Sequence, residues 1–515
     1  MNGAQSLIAT LAGQGVEICF ANPGTSEMHF LAALDGAPLR SVLCLFEGVA
    51  TGAADGWYRM RGSPAATLLH LGPGLANGLA NIHNARRASS GMVNIVGEHA
   101  LSHLKYDPPL ASDIAAIARP LSHWVRRSDS PDAIAWDTTT AVHEASSHPG
   151  RIATLILPGD SSWGQATLTT APPLPRPPPK APTFARIASI ARILKSGEPA
   201  MLILANKATH GRALDLAGRV AAATGCRLGS QFFTARIERG AGRTPLERIP
   251  YAVTQATDFL KPIRHLITLE TTEPVAFFAY PEKPSQLKAP GALVHPLSEP
   301  DEDSTQALEA LLDALGARTT PPLTQQRLES SPPTGALTPL TIAQALAAAI
   351  PENCILVDES LTTGRETMGH TIGARPHDLI NNMGGSIGYG TPVATGAALA
   401  CPDRRVFCMV GDGSAMYTIQ SLWTHARESL NITTIIFANN QYAILKAEYA
   451  NMGAGTPGAQ AMTLIDIGRP TIDWLAMAKS MGVPAIRVES AEGLHAALVN
   501  STKEPGPSLI EVKLA

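Results

Sequence analysis

Two apolar runs, at 406–410 and 433–438, most constrain what this chain can fold into. The first ends in Gly411-Asp412-Gly413-Ser414, the second in Asn439-Asn440-Gln441-Tyr442. Each has the length of a buried strand, and the residues between them leave room for one crossover helix, expected over 415–428. A strand–helix–strand unit of this kind carries both strand ends to the same edge of a parallel sheet. Ligands of open α/β sheets bind at that carboxyl edge. Asp and Asn are hard oxygen donors, and the glycines open the backbone beside them. Such a corner suits a magnesium ion carrying a diphosphate. The start of the following helix would add N–H donors from Gly413 and Ser414 and a positive dipole end. Gly-Asp-Gly or Asn-Asn alone is common turn chemistry; their pairing on successive strand ends is the informative feature.

The same alternation runs through the chain. Helical spacing at 4–13 precedes a strand at 16–21, and a strand at 41–46 precedes a small-residue helix at 49–61. Further strands are expected at 66–70, 92–96, 153–157, 200–205, 265–269, 355–357 and 508–512. Strand–helix alternation implies parallel sheets covered on both faces. The proline-dense stretch at 170–182 and a Pro/Thr/Ser-rich one at 319–333 read as linkers. They divide the 515 residues into 1–168, 184–318 and 335–515. The expected class is α/β, with three doubly wound parallel-sheet domains. A hydrophobic content of 45% is enough for large cores. A net charge of -3 without a basic block argues against nucleic-acid and anionic-membrane partners. The six cysteines are scattered without a CxxC pair, as reduced core thiols of an intracellular protein are. No run of about 18 apolar residues and no leader pattern occurs, so a cytoplasmic protein is expected.

Other strand ends carry further candidates. Glu47 closes the run at 41–46, just before a helix rich in Ala and Gly. Asn22-Pro23-Gly24-Thr25-Ser26-Glu27 and Leu69-His70-Leu71-Gly72-Pro73-Gly74 both follow strands of the first segment. Thr25, Ser26 and His70 are therefore the expected substrate-facing residues. His70 would bond a substrate carboxylate or move protons, and Thr25 would orient a carboxylate or carbonyl oxygen. Ser360, after Asp358-Glu359, is a candidate diphosphate contact. A glycine-rich turn, Asn382-Met383-Gly384-Gly385-Ser386-Ile387-Gly388-Tyr389-Gly390, precedes a helix at 393–400. His29, His83, His99, His103 and His123 lack comparable context and read as structural or surface residues.

On Glu47, Gly72-Pro73-Gly74, Gly411-Asp412-Gly413 and Asn439-Asn440, the chain resembles the thiamine-diphosphate (ThDP)-dependent acetolactate synthase and benzoylformate decarboxylase group. The resemblance covers essentially the full length, in the order pyrimidine-binding, middle and diphosphate-binding domain. It implies ThDP and Mg2+ as cofactors. Asp412, the Asn440 side chain and the Tyr442 carbonyl would bind the metal, with Gly411, Gly413 and Ser414 around the diphosphate. Glu47 would bond the aminopyrimidine ring and drive removal of the C2 proton. Ile387 would prop the cofactor in its V-shape, with Gly384 and Gly385 admitting the aminopyrimidine. The active site would lie between subunits of a homodimer or homotetramer. The implied reaction is decarboxylation of a 2-oxo acid, followed by protonation or by condensation with a second carbonyl such as an aldehyde.

Within that group the chain is mixed. The turn at 22–25 with Glu27, and His70, resemble benzoylformate decarboxylase, which has Ser in place of Thr25. That enzyme also has a second active-site His in the middle domain, where this chain reads Phe277-Phe278-Ala279-Tyr280-Pro281-Glu282. Acetolactate synthases carry Phe-Gln-Glu where this chain reads Pro109-Leu110-Ala111-Ser112-Asp113. The strand end Ile203-Leu204-Ala205-Asn206-Lys207 lacks a paired-glycine turn, so FAD is not expected. Leu71, Leu110, Phe277 and Phe278 point to a small apolar or aromatic substrate. The alternative is a non-catalytic ThDP-binding subunit with a regulatory or structural role; retention of Glu47 together with the metal motif speaks against it.

Overall fold

Three separate sheets organise the computed structural model, which describes residues 1–514. The first holds β1 (Ile18–Asn22), β2 (Arg40–Leu43), β3 (Ala65–Leu69), β4 (Met92–Glu98), β5 (Trp124–Arg127) and β6 (Ile152–Pro158). Its order is β2-β1-β3-β4-β6-β5, parallel throughout. β3, β4 and β6 are buried along their whole length, because helices cover both faces. The second sheet holds β7 (Ala200–Leu204), β8 (Arg227–Ser230), β10 (Glu247–Arg248), β11 (His265–Leu269) and β12 (Leu293–Ser298). Its order is β10-β8-β7-β11-β12, again parallel.

The third sheet holds β13 (Cys354–Glu359), β14 (His377–Asn381), β15 (Val406–Gly411), β16 (Ile432–Ala438), β17 (Ala485–Val488) and β18 (Ser508–Lys513). Its order is β17-β18-β16-β15-β13-β14-β9. The last member, β9 (Ile237–Arg239), comes from the stretch between β8 and β10 and pairs antiparallel with β14. One edge therefore departs from the all-parallel expectation. Three residues are too few to show a period, so the sequence gives no sign of this strand.

Two further expectations are corrected. The strand expected at 41–46 ends at Leu43, and Phe46 is the extended N-cap of the helix Glu47–Arg61. Glu47 is thus the first helical residue. The single helix expected over 415–428 is two short helices, Asp412–Ala415 and Ser421–Arg427. The intervening turn is drawn aside by tertiary bonds. The Thr418 hydroxyl donates to the Gly388 carbonyl at 3.1 Å, and the Thr391 hydroxyl donates to the Thr418 carbonyl at 3.3 Å. A helix of four residues has little macrodipole, so the diphosphate corner rests on its individual N–H and O–H groups.

The first and last sheets are joined by the small-residue helices Glu47–Arg61 and Gly390–Ala400. Their backbones touch: a Cβ on Gly396 would lie 1.8 Å from the Ala53 carbonyl oxygen. At the end of this contact the buried Arg59 forms a two-point ion pair with Asp55 (2.6 and 2.8 Å). Arg59 also donates to the carbonyls of Ala235 (3.1 Å) and Asn381 (2.6 Å) and to the Tyr389 hydroxyl (3.1 Å). One guanidinium thus binds elements of all three sheets' surroundings. The six cysteines are free, four of them buried, and burial raises the thiols of Cys19 and Cys354. Among the described residues no helix is long and apolar enough to cross a membrane.

Candidate active site

β13, β15 and β16 lie side by side, and their carboxyl ends converge on one small cavity. It is lined by Ser360 and Thr363, by Gly411, Asp412, Gly413 and Ser414, and by Asn439 and Tyr442, among others. Asp412 is buried, and its oxygens accept the Gly413 N–H (2.8 Å) and the Asn440 N–H (2.6 Å). Burial raises its carboxyl above the ordinary range, with those N–H bonds opposing. Asn440 has φ 55, and its side chain makes no hydrogen bond among the described residues, whereas the Asn439 oxygen accepts the Gln441 N–H at 3.0 Å. Asn439 nevertheless lines the cavity, while Asn440 meets Asp412 through its backbone. The Tyr442 carbonyl accepts the Leu445 N–H at 2.9 Å and keeps a second lone pair. Ser414 is 2% exposed, and its hydroxyl is buried without a partner. Such a group is costly unless a ligand oxygen completes it. A carboxylate, a carbonyl and an unpartnered hydroxyl fit a divalent cation with a diphosphate. Ser360 stands in the same wall, with its hydroxyl turned to Asp358.

The glycine-rich turn borders a second cavity of ≈ 280 Å³ that includes Gly385 and Ile387 and shares Leu361 and Ile444 with the first. Gly385 has φ 78, and its face is covered by the Phe277 ring. The turn is held from below by Glu359, fully buried at the end of β13. Its carboxylate accepts the N–H groups of Gly388 (2.8 Å), Tyr389 (3.1 Å) and Gly390 (2.7 Å). Burial outweighs those bonds and pushes its carboxyl to about 7. It is held from above by the helix Leu71–Arg87. Asn81 donates to the Gly388 carbonyl (3.1 Å), Asn84 donates to that of Ser386 (2.9 Å), and His83 Nε2 lies 3.0 Å from that of Gly384. His83 and Glu359 thus have roles that their local sequence does not announce: each is an ordinary residue until the turn it grips is in place.

The carboxyl edge of the first sheet carries the other candidates. Glu47 is 7% exposed, and one oxygen accepts the Asn77 amide N–H at 3.0 Å. Ser26 and His70 come together around Glu27, which is 1% exposed. The Ser26 hydroxyl donates to Glu27 Oε1 (2.5 Å), and His70 Nδ1 lies 2.8 Å from Oε2 and 3.3 Å from Ser26 Oγ. Thr25 is exposed beside them. The pairing of Glu27 with His70 joins β1 to β3 across the sheet, so only the fold reveals it. Neither the Asp412 cavity nor the Ile387 cavity takes any lining residue from the first sheet's elements.

A buried carboxylate beside an unpartnered hydroxyl at the carboxyl edge of one sheet, with a second buried carboxylate starting a helix of another domain, is the arrangement of a cofactor-binding α/β protein. The chain belongs to the thiamine pyrophosphate enzymes. Residues 1–117 match the family model "Thiamine pyrophosphate enzyme, N-terminal TPP binding domain", and residues 363–512 match its C-terminal TPP binding domain. It is 49% identical over 99% of both chains to a protein of Mycobacterium tuberculosis named, provisionally, acetolactate synthase large subunit IlvX. It is 27% identical to benzoylformate decarboxylase of Pseudomonas aeruginosa, covering 98% of this chain and 97% of that one. The fold matches the 4-hydroxybenzoylformate decarboxylase of Rhodococcus jostii RHA1 with a TM-score of 0.87 at 22% identity, over 100% and 99% of the two chains. It also matches benzoylformate decarboxylase of Polynucleobacter necessarius, with a TM-score of 0.85 at 19% identity over 100% and 99%.

Proposed function

We propose that this chain is a ThDP- and Mg2+-dependent enzyme that removes carbon dioxide from a 2-oxo acid. The remaining acyl unit passes to a proton, as in a lyase, or to a second carbonyl compound, as in a carboligating transferase. One observation carries the reading: the Asp412 corner with its unpartnered Ser414 hydroxyl coexists with a buried Glu47 that has one oxygen free of the Asn77 bond. Bound ThDP would supply the electron sink for the carbon left by decarboxylation. Asp412, Asn440 and the Tyr442 carbonyl hold the metal. Ser414, Gly411, Gly413 and Ser360 surround the diphosphate, and Ile387, Gly384 and Gly385 take the bend of the cofactor. Glu47 would hold the aminopyrimidine ring, its carboxylate placed to take up or release a proton there. His70, oriented by Glu27, faces the substrate carboxylate together with Thr25 and Ser26. Residues 1–168, 184–318 and 335–515 are the pyrimidine, middle and diphosphate domains in this proposal.

The resemblance supports a site between subunits of a homodimer or homotetramer, with Glu47 supplied by a second copy of the chain, and Glu47 lines neither cavity within one chain. A cytoplasmic location, without nucleic acid, membrane or FAD, belongs to the same proposal. The test is titration with ThDP and Mg2+ followed by circular dichroism, and carbon dioxide release from pyruvate and benzoylformate. Saturable binding with turnover of a 2-oxo acid is expected. Binding with neither turnover nor carbonyl exchange would replace the enzyme with a regulatory or structural ThDP-binding subunit.

A further inference from the structure

The carboxyl edge of the middle sheet faces the Ile387 cavity with a cluster of rings. Phe232 and Phe233 follow β8, Tyr251 follows β10, and Phe277 and Phe278 follow β11. Their centroids lie 4.8 Å (Phe232–Phe233), 5.6 Å (Phe233–Phe277), 5.9 Å (Tyr251–Phe277) and 4.8 Å (Phe277–Phe278) apart, mostly edge to face. The cavity of ≈ 280 Å³ exceeds the roughly 150 Å³ that admits a benzene ring.

Arg248, on β10, stands in this wall. Its guanidinium lies over the Phe232 ring, 3.6 Å from the centroid. Its one hydrogen bond among the described residues runs from Nε to the Phe232 carbonyl at 2.7 Å. The two terminal nitrogens are left for the cavity. Burial, opposed by Asp358 and aided by Arg365, draws its pKa down to about 10. The acids of the same wall are already engaged. Asp358 accepts from Ser360 and Asn381, Glu359 from three backbone amides, and Glu448 from the Tyr280 hydroxyl at 2.9 Å. This partly buried guanidinium has no salt bridge among the described residues, so its two terminal nitrogens remain as donors for a ligand anion in the cavity. Its fork geometry matches a carboxylate.

Resting on the decarboxylation proposed above, we infer that the substrate is an aromatic 2-oxo acid bearing a second anionic group on its ring, which Arg248 binds. The rings of Phe232, Phe277 and Tyr251 hold the aromatic body, and the reacting carbonyl points toward Ile387. Arg365 adds positive potential at the mouth.

Calorimetric titration of the holoprotein with terephthalate and benzoate, two acids that do not react, reads the site directly. Terephthalate should bind at least tenfold more tightly, and Arg248→Gln should reduce that ratio to within threefold. Equal affinities in the wild-type protein would overturn the assignment, whether or not the variant folds. So would a ratio that survives in a folded Arg248→Gln. Carbon dioxide release from benzoylformate and from its 4-carboxy derivative is measured in parallel, and the carboxylated acid should show at least tenfold higher kcat/KM. Selective binding without any turnover would remove the proposed reaction and keep the anion site. Turnover of both acids at equal efficiency would remove the anion site and keep the reaction.

Discussion

The two glycines around Asp412 are equivalent in the sequence and unequal in the fold. A Cβ on Gly413 would lie 2.3 Å from Cε1 of Tyr442, whereas one on Gly411 meets no protein atom within 4 Å. Ordinary contact begins at 3.4 Å, so Gly413→Ala forces the ring back by 3.4 − 2.3, about 1.1 Å. Tyr442 also carries the carbonyl proposed for the metal and caps the helix Ala443–Asn451. Where a ring shift of about 1 Å is passed on to that carbonyl, the cost is on the order of 100-fold, or about 2.7 kcal/mol. Gly413→Ala should therefore weaken Mg2+-dependent ThDP binding by about that factor, with a melting temperature close to wild type. Gly411→Ala, at φ -70, should stay within about threefold of wild type. Removing the ring in Gly413→Ala/Tyr442→Ala should restore much of the affinity, because the carbonyl remains. Calorimetric titration of ThDP at saturating Mg2+ measures all three. An equal loss from Gly411→Ala, or no rescue in the double variant, would show that Tyr442 is not what demands the glycine.

Glu47→Gln should lower carbon dioxide release by about 10²–10⁴-fold while leaving ThDP affinity within a few-fold; undiminished release would remove Glu47 from proton transfer. Glu359 has a folded carboxyl raised from 4.5 to about 7, so the native state is the one that favours the proton. Its contribution is fully present below about pH 4.5 and is lost as pH rises through about 7, a span of about 3 kcal/mol. Denaturation of the cofactor-free protein at pH 5 and pH 8 should show that fall in the wild type and a much smaller one in Glu359→Gln. Arg59→Met should cost about 3–5 kcal/mol, because it leaves the Asp55 carboxylate buried without its ion-pair partner and with only the Ser90 hydroxyl bond, and Asp55→Leu/Arg59→Met should recover most of it in urea unfolding.

Apolar runs of strand length are local properties, so the positions of Asp412 and Glu47 stand out in the sequence, although the run before Glu47 is strand only as far as Leu43, and Asn439 rather than Asn440 lines the Asp412 cavity. The three-sheet class is legible for the same reason. The helix expected over 415–428 breaks because Thr418 finds partners at Gly388 and Thr391, which no window around Thr418 contains. Glu359 looks like any strand-end acid until three amides from the glycine-rich turn close on it. Arg248 and its rings arrive from three different strands, with no period or motif to join them. What local pattern conveys is where a strand stops; what it omits is which strand ends share a wall.

The antiparallel strand β9 bears on how the chain is made. A ribosome delivers Ile237–Arg239 well before His377–Asn381, its pairing partner among the described residues, exists. Until β14 emerges, those backbone groups sit as an unpaired edge of the kind that seeks a neighbour. The middle segment cannot reach its final form until β14 has been made. It must wait for the last sheet and then close it, so the domain that follows in the sequence is the one that finishes its predecessor. An isolated middle segment would leave β9 as an open strand, and two such copies could pair where one chain should have closed on itself.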